Sequence, residues 1–303
     1  MEGLIVSSSP HIRSKESTPK VMWSVVCALL PATAAGVYFF GLAGLRIIVV
    51  CCSVAIITEA LVRRLMGRPI TITDGSCVVT GLLFALILPA GLPLWMCAVG
   101  VVIAIAIVKQ LFGGLGHNIF NPALAARAIL LASFPIHMTT WVRPFDAMTQ
   151  ATPLAIVKEE LQMELPTYWD LFIGNTAGSI GETSVVCLLV GAAFLFFRRI
   201  ISWHIPFTYI GTVALGSWLF GRDPLFSILA GGLVLGAFFM ATDMVTTPVT
   251  RKGQLIFALG AGAIVVLIRG WGGYPEGVCY SILLMNAFTP LIDRWTVPRK
   301  FGK

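Results

Sequence analysis

Charged side chains are scarce in this chain of 303 residues. Asp, Glu, Lys and Arg make up 12% of it, about half of the roughly 25% usual in soluble domains. Hydrophobic residues make up 57%, and the mean hydropathy is +0.89. So little charge excludes an ordinary water-soluble enzyme and predicts an integral membrane protein.

Other absences narrow the chemistry. The seven cysteines (Cys27, Cys51, Cys52, Cys77, Cys97, Cys187 and Cys279) lie in or beside apolar runs, and none forms a Cys-x-x-Cys pair. Neither a zinc site nor a four-cysteine iron–sulfur cluster is expected. The adjacent Cys51 and Cys52 read as small buried hydrophobes. A G-x-G-x-x-G fingerprint is missing, so a dinucleotide should bind elsewhere. Residues 1–20 are polar and contain Pro10 and Pro19, which is unlike a cleavable signal peptide. The net charge of +7 reads as membrane topology and not as a nucleic-acid surface.

What the chain does have is apolar runs. A helix needs about 20 residues to span a bilayer, and that length places segments near 21–40, 43–62, 77–95, 96–112, 118–134, 184–200, 204–220, 225–241, 255–270 and 276–292. The fold expected is an all-α integral membrane protein of about ten transmembrane helices. A cytoplasmic segment 1–20 leads into one membrane domain, 21–292, and a cytoplasmic tail, 293–303, follows. An external loop, 135–183, separates five segments in 21–134 from five in 184–292. With the N-terminus inside, fifteen basic residues fall on the inner side and five on the outer (Arg46, Arg143, Lys158, Arg222 and Arg269). That bias predicts cytoplasmic termini.

The halves also resemble each other. Gly113-Gly114-Leu115-Gly116 precedes the fifth segment and Gly272-Gly273-Tyr274-Pro275 the tenth, while SCVVTG (76–81) echoes SILAGG (227–232). Five being odd, the copies should run oppositely through the membrane, as inverted repeats with interrupted helices and binding sites at their interface.

Four polar stretches interrupt the apolar text. Asp74 in Thr71–Ser76 is placed to cap the third segment. In Gly113–Pro122, Asn121 and Pro122 precede a helix carrying Arg127, which demands an interior partner such as Glu59. In Gly178–Ser184, Ser179 and Glu182 have the spacing of a capping box. Ala241–Thr250 is dense in hydroxyls around Asp243, including Thr246 and Thr247, and suits a flavin ring, a quinone or a weakly held cation. Together Asp74, Asn121, Arg127 and Asp243 form a candidate ion or polar path.

ITITDGSCVVTGLLFALILP, FGGLGHNIFNPALAARA, GSIGETS and ATDMVTTPVT, in that order, resemble the family that includes the D subunit of the Rnf ion-pumping electron-transport complex and the B subunit of the sodium-pumping NADH:quinone reductase. They are spread along residues 70–250. The short N-terminus fits the Rnf D subunit better. Met244 stands where the ATDPVT pattern has proline, and Thr247 where serine is common.

The resemblance implies FMN joined through its phosphate to the GETS threonine, here Thr183, on an external surface open to a flavin transferase. Ser179, Gly181 and Glu182 would lie beside that group. Thr246 and Thr247 are further candidates for flavin contact, with riboflavin or a second flavin a further possible cofactor. It also implies a place among the other Rnf subunits (A, B, C, E and G) in a bacterial cytoplasmic membrane. There the complex would couple electron flow between reduced ferredoxin and NAD to sodium or proton movement, with no complete active site and no metal on this chain. The rival reading is a transporter or channel built on the same inverted repeat. A scaffold that only docks partner subunits is the blander one.

Overall fold

The computed structural model describes residues 17–146 and 148–298. Most of the expected segment 1–20 and the end of the expected tail lie outside those residues. Among the described residues the regular structure is helical, and pairing of extended backbone is limited to two isolated bridges.

Helix α1 (Thr18–Leu65) covers the first two expected segments as one kinked element. The kink is at Gly41, whose φ of 58° and ψ of −139° suit a residue without a Cβ. Arg63 and Arg64 occupy its last turn, where cations complement the helix dipole. α2 (Ser76–Leu86) is followed by α3 (Leu94–Val102), which continues as a π-helix over Ile103–Gln110, and by α4 (Pro122–Ser133).

The expected external loop carries three short helices, α5 (Pro135–Thr139), α6 (Pro153–Lys158) and α7 (Tyr168–Ile173). The second half holds α8 (Val185–Phe197), α9 (His204–Leu219), α10 (Pro224–Leu229) and α11 (Leu233–Leu235), which passes into a π-helix, Gly236–Met240. α12 (Arg251–Trp271) and α13 (Val278–Thr296) complete it. α13 runs past residue 293, where a tail was expected.

Helical structure falls on every expected segment, but the third and eighth are broken. Among the described residues, only α1 and α12 are both long and apolar enough to cross a membrane by length and composition. The 21 residues of α12 reach roughly 30 Å. α1 packs on α2, α3 and α8, while α12 packs on α9 and α13. The halves touch tightly where α1 meets α8: a Cβ on Gly191 would lie 2.0 Å from the Ala28 carbonyl oxygen, so any larger residue would force these helices apart.

Each break has its own remedy for stranded carbonyls, which water cannot reach in a buried core. Leu86, Ile87 and Leu88 at the end of α2 are 0–2% exposed. Gly181 N donates to Leu86 O at 2.7 Å and Ile180 N to Leu88 O at 3.1 Å, with Pro89 and Ser179 forming an antiparallel bridge. At the second break the Arg269 guanidinium donates to Ser227 O at 2.6 Å and Ala230 O at 3.2 Å. The Gly178–Ser184 stretch is therefore laid along the end of a broken helix.

Candidate functional site

The expected capping box at Ser179 and Glu182 does not form. α8 begins at Val185, and Ser184 is its N-cap, accepting from Cys187 N at 3.5 Å. A capping box does occur at Thr167 and Asp170, at the start of α7. Ser179 lies too far upstream because its backbone is committed to the α2 terminus. Its hydroxyl is fully buried beside the Glu182 carboxyl and has no partner in full hydrogen-bond geometry.

Glu182 has a different partner. Arg127 Nη1 lies 3.4 Å from Glu182 Oε1, and Arg127 Nη2 lies 2.7 Å from Glu276 Oε2. The guanidinium carbon is also 6.0 Å from the centre of the Trp141 ring, within cation–π range. Glu59, the partner expected from sequence, is instead 2.7 Å from Lys109 Nζ and 3.7 Å from Arg63 Nε. One cation thus serves two carboxylates beside Thr183. Burial, and then the charge of Glu276, push the Glu182 carboxyl above the usual carboxylate range. With Glu276 the closer partner, the triad approaches neutrality when Glu182 holds a proton.

Thr183 is 3% exposed, and its hydroxyl donates to Ile180 O at 3.4 Å. The expected exposure of this side chain is not found. It lines a void of 20 Å³ with Thr152, Thr176, Gly178, Glu182 and Glu276, a volume on the scale of one water. The chemistry of the surroundings suits an esterified phosphate. A hydroxyl stands two residues ahead of α8, whose first-turn amides favour an anion. Nothing lies within 4 Å of where a Cβ of Gly178 would be, and the adjacent triad carries its own counter-cation. A phosphate nevertheless exceeds the void, so an ester at Thr183 requires the 174–178 segment to stand away from it.

Thr246 and Thr247 are not beside Thr183. They sit just ahead of α12, whereas Glu276 follows it, so a helix of roughly 30 Å separates the groups. Their hydroxyls bond locally, Thr246 Oγ1 to Asp243 Oδ2 at 3.3 Å and Thr247 Oγ1 to Asp243 O at 2.7 Å. Asn121 caps α4, accepting from Ala123 N at 3.1 Å, and its Nδ2 donates to Met240 O at 3.4 Å. Asn121 and Asp243 share a cavity of 100 Å³ with Ser76, Thr80 and Lys109. Asp74 accepts from Ser76 N at 2.8 Å, although Gly75 holds the N-cap position. Arg127 lies about 9 Å further along α4 than Asn121. Asn121 and Asp243 thus share one cavity, with Asp74 beside its Ser76 wall, while Arg127 lies further along α4 with its own carboxylates.

Sequence reasoning missed Lys109, counting it only as inner-side charge. It is 2% exposed and donates to Glu59 Oε2 and Ser76 Oγ, both at 2.7 Å. Its position inside a run of apolar residues was the available signal, since a lysine there needs a partner.

Broken helices, buried ion clusters and long apolar helices define an all-helical membrane protein. The chain belongs to the NQR2, RnfD, RnfE family, whose model matches residues 5–302. It is 52% identical to the D subunit of the proton-translocating ferredoxin:NAD(+) oxidoreductase complex of Clostridium ljungdahlii, over 98% of this chain and 96% of the relative. It is also 52% identical to the D subunit of the Na(+)-translocating ferredoxin:NAD(+) oxidoreductase complex of Acetobacterium woodii, over 99% and 95%. Against the D subunit of the ion-translocating oxidoreductase complex of Stutzerimonas stutzeri the identity is 41%, over 95% and 93%.

Proposed function

We propose that this chain is the membrane flavoprotein subunit of an Rnf-type ion-translocating ferredoxin:NAD oxidoreductase complex, and that it relays electrons through FMN esterified to Thr183. The observation that carries the complex-level reading is end-to-end similarity to relatives named as D subunits of such complexes. The flavin reading rests on the GETS motif and on the chemistry around its threonine.

Bound FMN would supply one- and two-electron redox chemistry, and the protein its position and electrostatics. Thr183 would hold the phosphate, with the start of α8 facing it. Arg127 would keep the neighbouring carboxylates from repelling it. Because Thr183 is enclosed, modification would precede closure of the 174–178 segment, and a flavin transferase would act on the open form. Partner subunits would supply the NAD and iron–sulfur sites.

The membrane plan in this reading is ten crossings in two inverted halves, with both termini cytoplasmic in a bacterial inner membrane. Matching uses of buried cations support the repeat. Lys109 Nζ donates to Ser76 Oγ at 2.7 Å, and Arg269 Nη1 donates to Ser227 O at 2.6 Å. These serines open the two similar stretches SCVVTG and SILAGG.

The test is in-gel ultraviolet fluorescence of denatured protein, with intact mass beside it, after co-expression with a flavin transferase. Fluorescence and the FMN mass increment are expected in the wild type and lost in Thr183→Val with membrane insertion unchanged. An unmodified Thr183 in the co-expressed wild type would overturn the flavin assignment.

A further inference from the structure

Three of the five basic residues that the charge pattern sets apart from the rest converge on one cavity. Lys158 ends α6, Arg222 lies between α9 and α10, and Arg269 is in the last turn of α12. They line a cavity of 830 Å³. Among the described residues no carboxylate lies within 4.0 Å of any of them.

Their donors go to main-chain carbonyls instead. Lys158 Nζ reaches Tyr274 O at 2.7 Å and Ile268 O at 3.1 Å, and Arg222 Nη1 reaches Arg269 O at 3.0 Å. Arg269, bonded to Ser227 O and Ala230 O, is 5% exposed, yet its Nε has no hydrogen-bond partner. One carboxylate, Asp223, is on the wall, and it is engaged by the Tyr168 hydroxyl and by Leu225 N at 2.9 Å. Three cations against one occupied carboxylate leave a positive site with unspent donor capacity.

Most of the rest of the wall is apolar, including Leu154, Val157, Phe226 and Val266, with the hydroxyls of Thr167, Ser217 and Ser227 between them. At its rim Phe220 and Trp271 meet edge to face at 4.9 Å, and both are exposed. Nearby helix surfaces expose Leu215, Trp218, Leu219 and Leu267, the faces a membrane protein gives to acyl chains. Exposed tryptophan at a helix end beside such faces marks the interfacial belt. A soluble anion would use the cations and leave the apolar wall unmatched. An amphiphile uses both.

We propose that this cavity binds an anionic phospholipid, with its phosphate held by Lys158, Arg222 and Arg269 and an acyl chain lying along the apolar wall. Basic pockets at membrane-protein surfaces recognise phosphate headgroups by this chemistry. The proposal is independent of the flavin at Thr183.

The test uses the full chain in mild detergent, with dioleoyl phosphatidylglycerol as probe and dioleoyl phosphatidylcholine, FMN and inorganic phosphate as comparisons. Native mass spectrometry and thermal midpoints are the readouts. Phosphatidylglycerol should be retained and raise the midpoint, and phosphatidylcholine at equal concentration should do neither. The paired variant Lys158→Gln/Arg222→Gln, whose side chains make no buried ion pair, should bind phosphatidylglycerol roughly thirtyfold more weakly, two interfacial charges having been removed. Equal binding of the two lipids by wild type would overturn the proposal. So would unchanged phosphatidylglycerol affinity in the paired variant, or displacement of the lipid by FMN or inorganic phosphate. The wild-type comparison stands even if the paired variant does not fold.

Discussion

Arg127 and Glu276 meet at 2.7 Å across 149 positions of sequence. One sits on α4 and the other in the turn before α13, so the pair ties the two halves together beside Thr183. Glu182 shares the same guanidinium at 3.4 Å. Replacing Arg127 by Leu removes the one cation and leaves two carboxylates facing each other in a dry setting. The expected cost is about 3–5 kcal/mol. Glu276→Gln leaves Arg127 with Glu182 and should cost clearly less. Unfolding midpoints of the variants in one detergent measure the difference, and equal losses would contradict a shared cation.

The same triad predicts a pH dependence. Burial and Glu276 raise the Glu182 carboxyl to about 7, above the roughly 4.3 of an unfolded glutamate. The folded state therefore binds the proton more tightly, so this contribution to stability is complete below about pH 4 and is lost as pH rises through about 7. Glu182→Gln should flatten that part of the stability profile. The measurement is the thermal midpoint from pH 4 to 8 for wild type and variant, and a wild type that gains stability across this window relative to Glu182→Gln would reverse the sign.

Much of this helical framework was legible because lipid leaves few options for apolar text. Runs such as 204–220 can satisfy their backbone only within themselves, and α9 spans His204–Leu219. Interrupted helices were expected from the repeat, but neither the place of the two breaks nor their repair was legible. No local pattern announces that Gly181 N will serve Leu86 O. Ion partners were equally opaque: Arg127 demanded a carboxylate, yet Glu59, Glu182 and Glu276 were equivalent on paper. The capping-box reading of Ser179 failed for a related reason. The spacing was correct for a cap, but the backbone was already paired with the distant end of α2.

Lys109 and Glu59 offer a test of a second buried pair. Their side chains are 2% and 0% exposed and lie 2.7 Å apart. Lys109→Met leaves Glu59 with only Arg63, at 3.7 Å, and should cost about 3–5 kcal/mol. Glu59→Gln should be damaging too, because it leaves the ammonium with Ser76 alone. The double variant should be less destabilised than the sum of the two, with a coupling of about 0.5–3 kcal/mol. A double-mutant cycle on unfolding midpoints provides the measurement. Strict additivity would mean that the two charges do not interact in the folded protein.

The contact between Gly174 and Thr183 can be tested without touching the hydroxyl. Gly174 has φ 117°, and a Cβ built on it would lie 2.3 Å from Thr183 O and 2.9 Å from Ser184 N. Gly174→Ala thus meets both a disfavoured backbone region and a rigid main chain, at an expected cost of about 1–3 kcal/mol. The chain must relieve this by moving the 174–178 segment away from Thr183. Gly178→Ala is the matched control, since nothing lies within 4 Å of its Cβ position, and it should change stability by about 0.5 kcal/mol or less. If modification of Thr183 requires an open segment, brief co-expression with the flavin transferase should give faster fluorescence per chain in Gly174→Ala than in Gly178→Ala. Equal rates in the two variants, with Gly174→Ala destabilised as expected, would mean that closure of this segment does not govern access to the hydroxyl.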